Sequence, residues 1–397
     1  MKKVYIVGTA DTKQAEILYA AECVVAAGVP VCIVDVGIFP TQCTTKVGDV
    51  IHLREQNLNF FDSTKDRGKA IATMGTLLER FLLEHVDDMG AVLGMGGSGN
   101  TALVTQGMRV LPVGMPKMMV STVAAGDVTP YVGASDIIMM PSVADVQGIN
   151  SITRRILGNA AHAVAGMAAN PVPDVPAQKP LVGMSMFGVT TTCVQNICKL
   201  LEDTYEPLVF HATGTGGCAL EKLIDSHMVQ HVIDVTLTEV CDLFMGGVMS
   251  AGDDRLGAII RTGIPYVGSV GALDMVNFAA RPTVPQKYQD RLLYEHNANV
   301  TLMRTTPEEN TLMGEWIGAR LNMCKGKVRF LLPEKGVSAI DAPDMPFHSP
   351  EARENLFAAI ERTVVQTADR KVLRVPHHIN DQGFAQATVD AFLEING

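Results

Sequence analysis

Neither a membrane-spanning run nor a basic track is present in this chain. No stretch of its 397 residues stays apolar for the roughly 18 positions a transmembrane helix needs, and no lysine and arginine cluster marks a nucleic-acid face. The formal net charge of −10 removes the electrostatic footprint that nucleic acid or an anionic membrane would require. An anionic ligand must then be held locally, by backbone amides, a few basic side chains or a metal. The start, MKKVYIVGTADTK, passes from two lysines straight into a strand without a signal-peptide cleavage pattern, so a cytoplasmic protein is expected. The eight cysteines contain no C-x-x-C pair, which argues against a paired-thiol zinc or redox site. Most lie among apolar neighbours and read as small core residues. Cys218 is the exception, because it follows a glycine loop at a helix start, where a thiol pKa can fall. What is present is 47% hydrophobic and 19% charged residues, a globular chain with ample core and a length that predicts two or three domains.

The chain is organised around residues 91–104, AVLGMGGSGNTALV. Its first five residues are apolar apart from Gly94, as in a strand covered on both faces. Gly96, Gly97 and Gly99 then let the backbone turn and approach a ligand, while Ser98, Asn100 and Thr101 can cap the following helix. A helix N-terminus offers unpaired N–H groups and partial positive charge, which suit phosphate or carboxylate. The alternative is a tight strand-to-helix turn that holds nothing.

Residues 4–7, 14–27 and 31–36 read as a strand, a helix ended by Gly28, and a second strand, one βαβ unit. The loop between them carries Thr9, Asp11 and Thr12 at the carboxyl end of a parallel strand, where open α/β sheets bind ligands. Asp35 closes the second strand and could accept a ribose hydroxyl. The loop lacks the G-x-G-x-x-G spacing, which argues against a nicotinamide dinucleotide. Residues 39–65 read as an inserted polar loop, 66–85 as an amphipathic helix, 110–114 as a short strand, and 149–169 as a small-residue helix. Lys117, placed after that short strand, is a candidate phosphate partner.

Residues 170–180, NPVPDVPAQKP, carry four prolines and mark the domain boundary. The strand, loop and helix rhythm then restarts, suggesting two related units, 1–175 for nucleotide binding and 176–397. In the second, His211 and the glycine loop Thr213, Gly214, Thr215, Gly216, Gly217 follow one strand. Glu221 lies one turn into the next helix, and Glu239 and Asp242 lie beyond the next strand. Such carboxylates could act as acid and base or hold Mg2+, with Glu239 the leading choice, or simply belong to a capped helix start.

Taken together, GTADTK at 8–13, GMGGSGNT at 94–101, PKMMVSTVAAGDVTPYVGASD at 116–136, FHATGTGG at 210–217 and HINDQGFA at 378–385 resemble the Tm-1-like ATP-binding family over nearly the whole chain. The resemblance implies two Rossmann-like subdomains, ATP binding and self-association as a homodimer or larger. The GGSG loop with its G-x-P-K turn is also distantly similar to phosphofructokinase-like kinases. The expectation is an α/β protein of two doubly wound, mainly parallel subdomains with a cleft between them. It would bind ATP with Mg2+ and use it on a small metabolite in that cleft. Alternatives are a nucleotide-responsive scaffold without turnover, and a nucleotide-independent hydrolase or isomerase using the second-half carboxylates.

Overall fold

The structure, a computed structural model, describes residues 1–173 and 179–396. The chain divides into two compact α/β units, Met1–Val175 and Pro176–Gly397. Residues 174–178, the centre of the expected proline-rich boundary, lie outside the described residues.

The first unit is built on six parallel strands: β1 Lys3–Gly8, β2 Val31–Asp35, β3 Gly48–His52, β4 Met89–Gly96, β5 Lys117–Ser121 and β6 Ile138–Pro141. Their order across the sheet is β3-β2-β1-β4-β5-β6, so the direction of winding reverses between β1 and β4. The inner strands are continuous apolar runs because helices cover both faces. Along β1, Val4 and Ile6 face the helices Ala10–Ala26 and Ser151–Ala169, while Tyr5 and Val7 face Arg67–Glu84 and Ser98–Val110. Each such side chain, fully withdrawn from water, contributes roughly 1.5–3 kcal/mol. Gly94, which interrupts the apolar run of residues 91–95 in β4, has a packing reason. A Cβ there would come 2.6 Å from Val104 and 2.7 Å from the Met119 sulfur, so glycine lets the helix Ser98–Val110 lie against the sheet.

The structure differs from two local expectations. Residues 39–65 contain the edge strand β3 and a short helix, Leu58–Ser63, rather than loop alone. An edge strand is only half buried and carries too weak an apolar pattern to stand out. The strand expected at 110–114 is absent: Val110 ends a helix, and the strand starts at Lys117. Pro112 and Pro116 lack the N–H groups a ladder needs, which pushes the pairing downstream.

The second unit has β7 Leu181–Met186, β8 Glu206–His211, β9 His231–Thr236, β10 Tyr266–Gly271, β14 Val328–Pro333 and β15 Arg370–Val375 in one parallel sheet, ordered β15-β14-β10-β9-β7-β8. Between β10 and β14 the chain makes a small antiparallel sheet from β11 Met275–Phe278, β12 Leu293–Asn297 and β13 Val300–Arg304. The strand order differs from that of the first unit, so the shared rhythm reflects α/β grammar and not one repeated topology. Sequence reading also overlooked the helix Pro307–Met323, whose start is a capping box: Glu309 N donates to Thr306 Oγ1, and Thr306 N to Glu309 Oε2.

Candidate functional site

At the carboxyl ends of β1 and β4, where the first sheet reverses, two loops face one another across a hollow of about 300 Å3. Thr9, Asp11 and Thr12 line it from the β1 side, and Gly97, Ser98, Gly99 and Asn100 from the β4 side. Arg67, Ile71 and Phe39 line it too, as does Lys13, whose ammonium donates to the Val146 carbonyl. Such a reversal leaves a crevice because the connections from the two adjacent strands leave on opposite faces of the sheet. Seven residues singled out from sequence are therefore brought into one place by strand order.

The hollow is polar in a specific way. Gly97 is the N-cap of the helix Ser98–Val110, and the N–H groups of its first turn have no carbonyl within the helix to meet. Gly99 would present a Cβ with no atom within 4 Å, so the space above these amides is open. Two buried acceptors in the loops, Asp11 Oδ1 and Asn100 Oδ1, have no hydrogen-bond partner. The other ends of those groups are engaged. Phe39 N donates to Asp11 Oδ2 at 3.4 Å, and Asn100 Nδ2 donates to the Met95 carbonyl at 2.5 Å. Burial pushes the Asp11 carboxyl up from its ordinary range, against the Phe39 N–H, and nearby Asp35 adds to the rise.

Gly96 and Thr101 do not line the hollow; they build the turn behind it. Gly96 has φ +151°, and a Cβ there would meet Asn100 at 2.9 Å. Thr101 is fully buried, with Oγ1 2.6 Å from Ser121 Oγ and 2.9 Å from the Gly97 carbonyl, which pins the loop to β5. Asp35 corrects another expectation. Its carboxylate accepts from Ala10 N at 2.8 Å and Gly37 N at 2.9 Å, and pairs with His52 Nδ1 at 2.8 Å, so it braces the β1 loop instead of awaiting a hydroxyl. It also borders an adjoining hollow of about 380 Å3 that shares Phe39 with the first.

Lys117 as a phosphate partner is corrected as well. It begins β5 opposite Val92, whereas the glycine loop leaves from Gly96, which pairs with Ser121. Four residues of strand separate the two ends, about 13 Å. The ammonium is buried and donates to the carbonyls of Pro112 and Met115, and it pairs with Asp136 at 2.7 Å.

The second glycine loop proves to be closed. Gly214 N and Gly217 N both donate to Glu239 Oε1, at 2.7 and 3.0 Å, so a carboxylate of the protein sits where a phosphate was expected. Thr215 and Gly216 are simply the first two residues of the helix Thr215–Asp225. Glu239 Oε2 accepts from Arg255 Nε at 2.8 Å. The same guanidinium, 2% exposed, holds Asp234 through two 2.7 Å bonds and Glu221 at 3.0 Å. Leu256 N and Ala258 N also donate to Glu221. Asp242 accepts from Met249 N, Asn277 N and Asn277 Nδ2. Every oxygen of the expected acid, base and Mg2+ ligands is thus taken by a protein donor. Burial pushes Glu221 and Glu239 up, with Arg255 opposing. Arg255 itself was missed; its signal was AGDDR, a lone arginine beside two aspartates in a polar loop.

His211 and Thr213 instead line a separate hollow with Phe187, at the ends of β7 and β8. Cys218 sits at a helix start, where a thiol pKa can fall, but its pKa is raised, by burial and then by Glu239. Among the described residues no group of three or more His, Cys, Asp or Glu is arranged to hold a metal ion.

Buried carboxyls set an expected pH response. Burial raises Asp242 and Asp274 to about 7 from 3.8, with the Asn277 and Met249 N–H groups opposing in the first and Arg304 in the second. Between pH 4 and 7 the folded state holds protons that the unfolded state has lost. Their stabilisation is therefore complete below pH 4 and lost as pH rises through 7, by up to roughly 4 kcal/mol per group. Urea unfolding followed from pH 5 to 8 should show stability falling to pH 7.5 and then levelling, with a shallower fall in Asp274→Asn. Stability that rises over this interval in both proteins would contradict it.

Family models match the chain over nearly its full length: the N-terminal domain of uncharacterised protein family UPF0261 over residues 2–173, and the C-terminal domain over residues 179–396. A UPF0261 protein of Mesorhizobium japonicum is 54% identical over 100% of this chain and 99% of its own length. One from Clostridium tetani is 42% identical over 97% of each. The ToMV resistance protein Tm-1(GCR237) of Solanum lycopersicum is 41% identical over 99% of this chain, which spans 56% of that longer protein. Among solved structures, UDP-N-acetylglucosamine 2-epimerase from Rickettsia bellii matches at 13% identity over 67% of this chain and 78% of its own, with a TM-score of 0.21, too low to carry an argument. The chain belongs to the UPF0261 family, with the tomato Tm-1 proteins among its relatives.

Proposed function

We propose that this protein binds ATP, with Mg2+, in the hollow between the loops after β1 and β4. The observation that carries the reading is the pairing of open helix N-terminal amides with two unpartnered buried acceptors at one switch point. Phosphates would lie against the amides of Ser98, Gly99 and Asn100, with Arg67 and Lys13 as the lining cations. The base would extend past Phe39 into the adjoining hollow beside His52. Asp11 is the one carboxylate among the lining residues, and its unpartnered Oδ1, closed off in the free protein, would turn into the hollow to hold Mg2+ bound to phosphates.

A single facing carboxylate favours binding with little or no turnover over phosphoryl transfer to a metabolite, which needs a base as well as a metal ligand. The same observation gives weight to a nucleotide-responsive binding role, the class suggested by a relative whose name is a virus-resistance protein. The nucleotide-independent hydrolase reading loses its groups, since Glu221, Glu239 and Asp242 are engaged within the protein.

Calorimetry with ATP, with and without Mg2+, tests this. Asp11→Asn should erase the gain in affinity that Mg2+ confers, about tenfold or 1.4 kcal/mol, and leave Mg2+-free binding near wild type. Since burial raises the Asp11 pKa, the Mg2+ gain in the wild type should also shrink as the solution is acidified. A Mg2+ dependence identical in both proteins would remove Asp11 from the site.

A further inference from the structure

We infer that the second unit holds a binding site for a small ring-bearing carboxylate, between the carboxyl ends of β7 and β8 and the turn joining β12 to β13. This stands apart from the nucleotide reading, which concerns the first unit.

The site is a hollow of about 190 Å3 with an apolar floor and an imidazole rim. Its floor is made of Phe187, Val189 and Leu302, which are buried, and its rim of His211, His296 and Asn297, which are exposed. The fold explains the arrangement. The second sheet reverses at β7, with β8 on one side and β9 on the other. The β9 side is closed by a 2.8 Å contact between Thr190 Oγ1 and Thr236 Oγ1 and by Thr238 Oγ1 donating to the Met275 carbonyl. The β8 side is left open and is bordered there by Val300 of the antiparallel sheet.

The lining defines the ligand. A dry apolar cavity of about 150 Å3 accepts one benzene ring, so this one admits a single ring with a short substituent. The His211 ring already stacks on Phe187, centroids 5.3 Å apart and planes 22° from parallel, and a flat ligand would extend that stack. Among the described residues neither the His211 nor the His296 ring has a hydrogen-bond partner, so both are free to donate to an anionic oxygen. The lining holds no lysine, arginine or acidic residue, so a phosphate dianion or an amine would find no counter-charge, and a single carboxylate would be met by the N–H groups of the rim imidazoles. Gly188 borders the hollow, and a Cβ there would meet no atom within 4 Å. A side chain could fill this space without strain, and none does.

Benzoate is the probe, titrated into the full chain and followed by saturation-transfer NMR and calorimetry. Binding at a Kd of about 1 mM is expected, with acetate and benzyl alcohol at least about fivefold weaker, because each lacks one half of the recognition. Gly188→Val should abolish the signal by filling the hollow, and Val300→Phe should do so from the opposite wall, each with an unchanged circular dichroism spectrum. His211→Ala should bring benzoate down to the level of benzyl alcohol. No saturation transfer from benzoate at roughly 20 mM, or undiminished binding in both filled variants, would overturn the assignment.

Discussion

Gly99→Val is expected to lower ATP affinity at least a hundredfold while leaving the fold as stable as the wild type. The reason lies in what surrounds the position. Gly99 is the second residue of the helix Ser98–Val110, it has no left-handed φ to preserve, and a Cβ there meets nothing within 4 Å. In the free protein a valine is accommodated, and it suits a helix somewhat better than glycine does, by a few tenths of a kcal/mol. In the bound protein its methyl groups would occupy the volume through which phosphate oxygens reach the amides, so the cost falls on the complex alone. The neighbouring glycines make poor tests. A residue with a Cβ at Gly96 would have to adopt φ +151° against Asn100, and one at Gly94 would drive the helix off the sheet, so both would damage the fold itself. Calorimetry measures the affinity, and thermal unfolding without ligand measures the fold. A folded Gly99→Val protein that binds ATP as the wild type does would end the proposal for this loop.

Arg255→Met should destabilise the second unit by about 3–5 kcal/mol, the usual cost of removing one partner from a buried ion cluster. Three carboxylates, Glu221, Asp234 and Glu239, converge on this one guanidinium in a region almost closed to water. Without it they repel one another, and burial favours their neutral forms at the price of mismatched hydrogen bonds. Glu239→Gln is the milder partner experiment. It keeps one acceptor for Gly214 N and Gly217 N but breaks the bond from Arg255 Nε, so a loss of about 1–3 kcal/mol is expected, with ATP affinity unaltered. The single tryptophan, Trp316, packs edge-on to Phe244 and beneath Arg320 in this unit, so its fluorescence reports the relevant transition in urea. An Arg255→Met protein within about 1 kcal/mol of wild type would show that the cluster is replaceable.

Much of the first-unit hollow was legible because its loops obey local rules. An apolar strand, three glycines and a run of Ser, Asn and Thr specify a turn into a helix start whatever the rest of the chain does, and Thr9, Asp11 and Thr12 follow a strand by the same grammar. Residue type also said that these loops could meet anions. Phe39 and Arg67 were not legible, since neither lies in a motif and only the packing of the β2 loop and the helix Arg67–Glu84 puts them at the hollow.

The second unit marks the limit of such reading. Its sequence shows carboxylates at strand and helix ends, which is the pattern of an acid–base or metal site and equally that of a structural ion cluster. The difference is made by Arg255, which lies 21 residues from Asp234 and 34 from Glu221 in the chain and arrives between them only once the sheet is assembled. By itself the sequence determined the buried inner strands and the glycine loops that end at the sheet's carboxyl edge, because apolar runs, caps and turns act over a few residues, whereas the edge strand β3 and the helix Pro307–Met323 escaped it. Tertiary structure decided which polar groups are spent and which are free. Burial and pairing depend on strand order and on side chains distant in sequence, and those set whether an amide or a carboxylate faces the protein or a ligand.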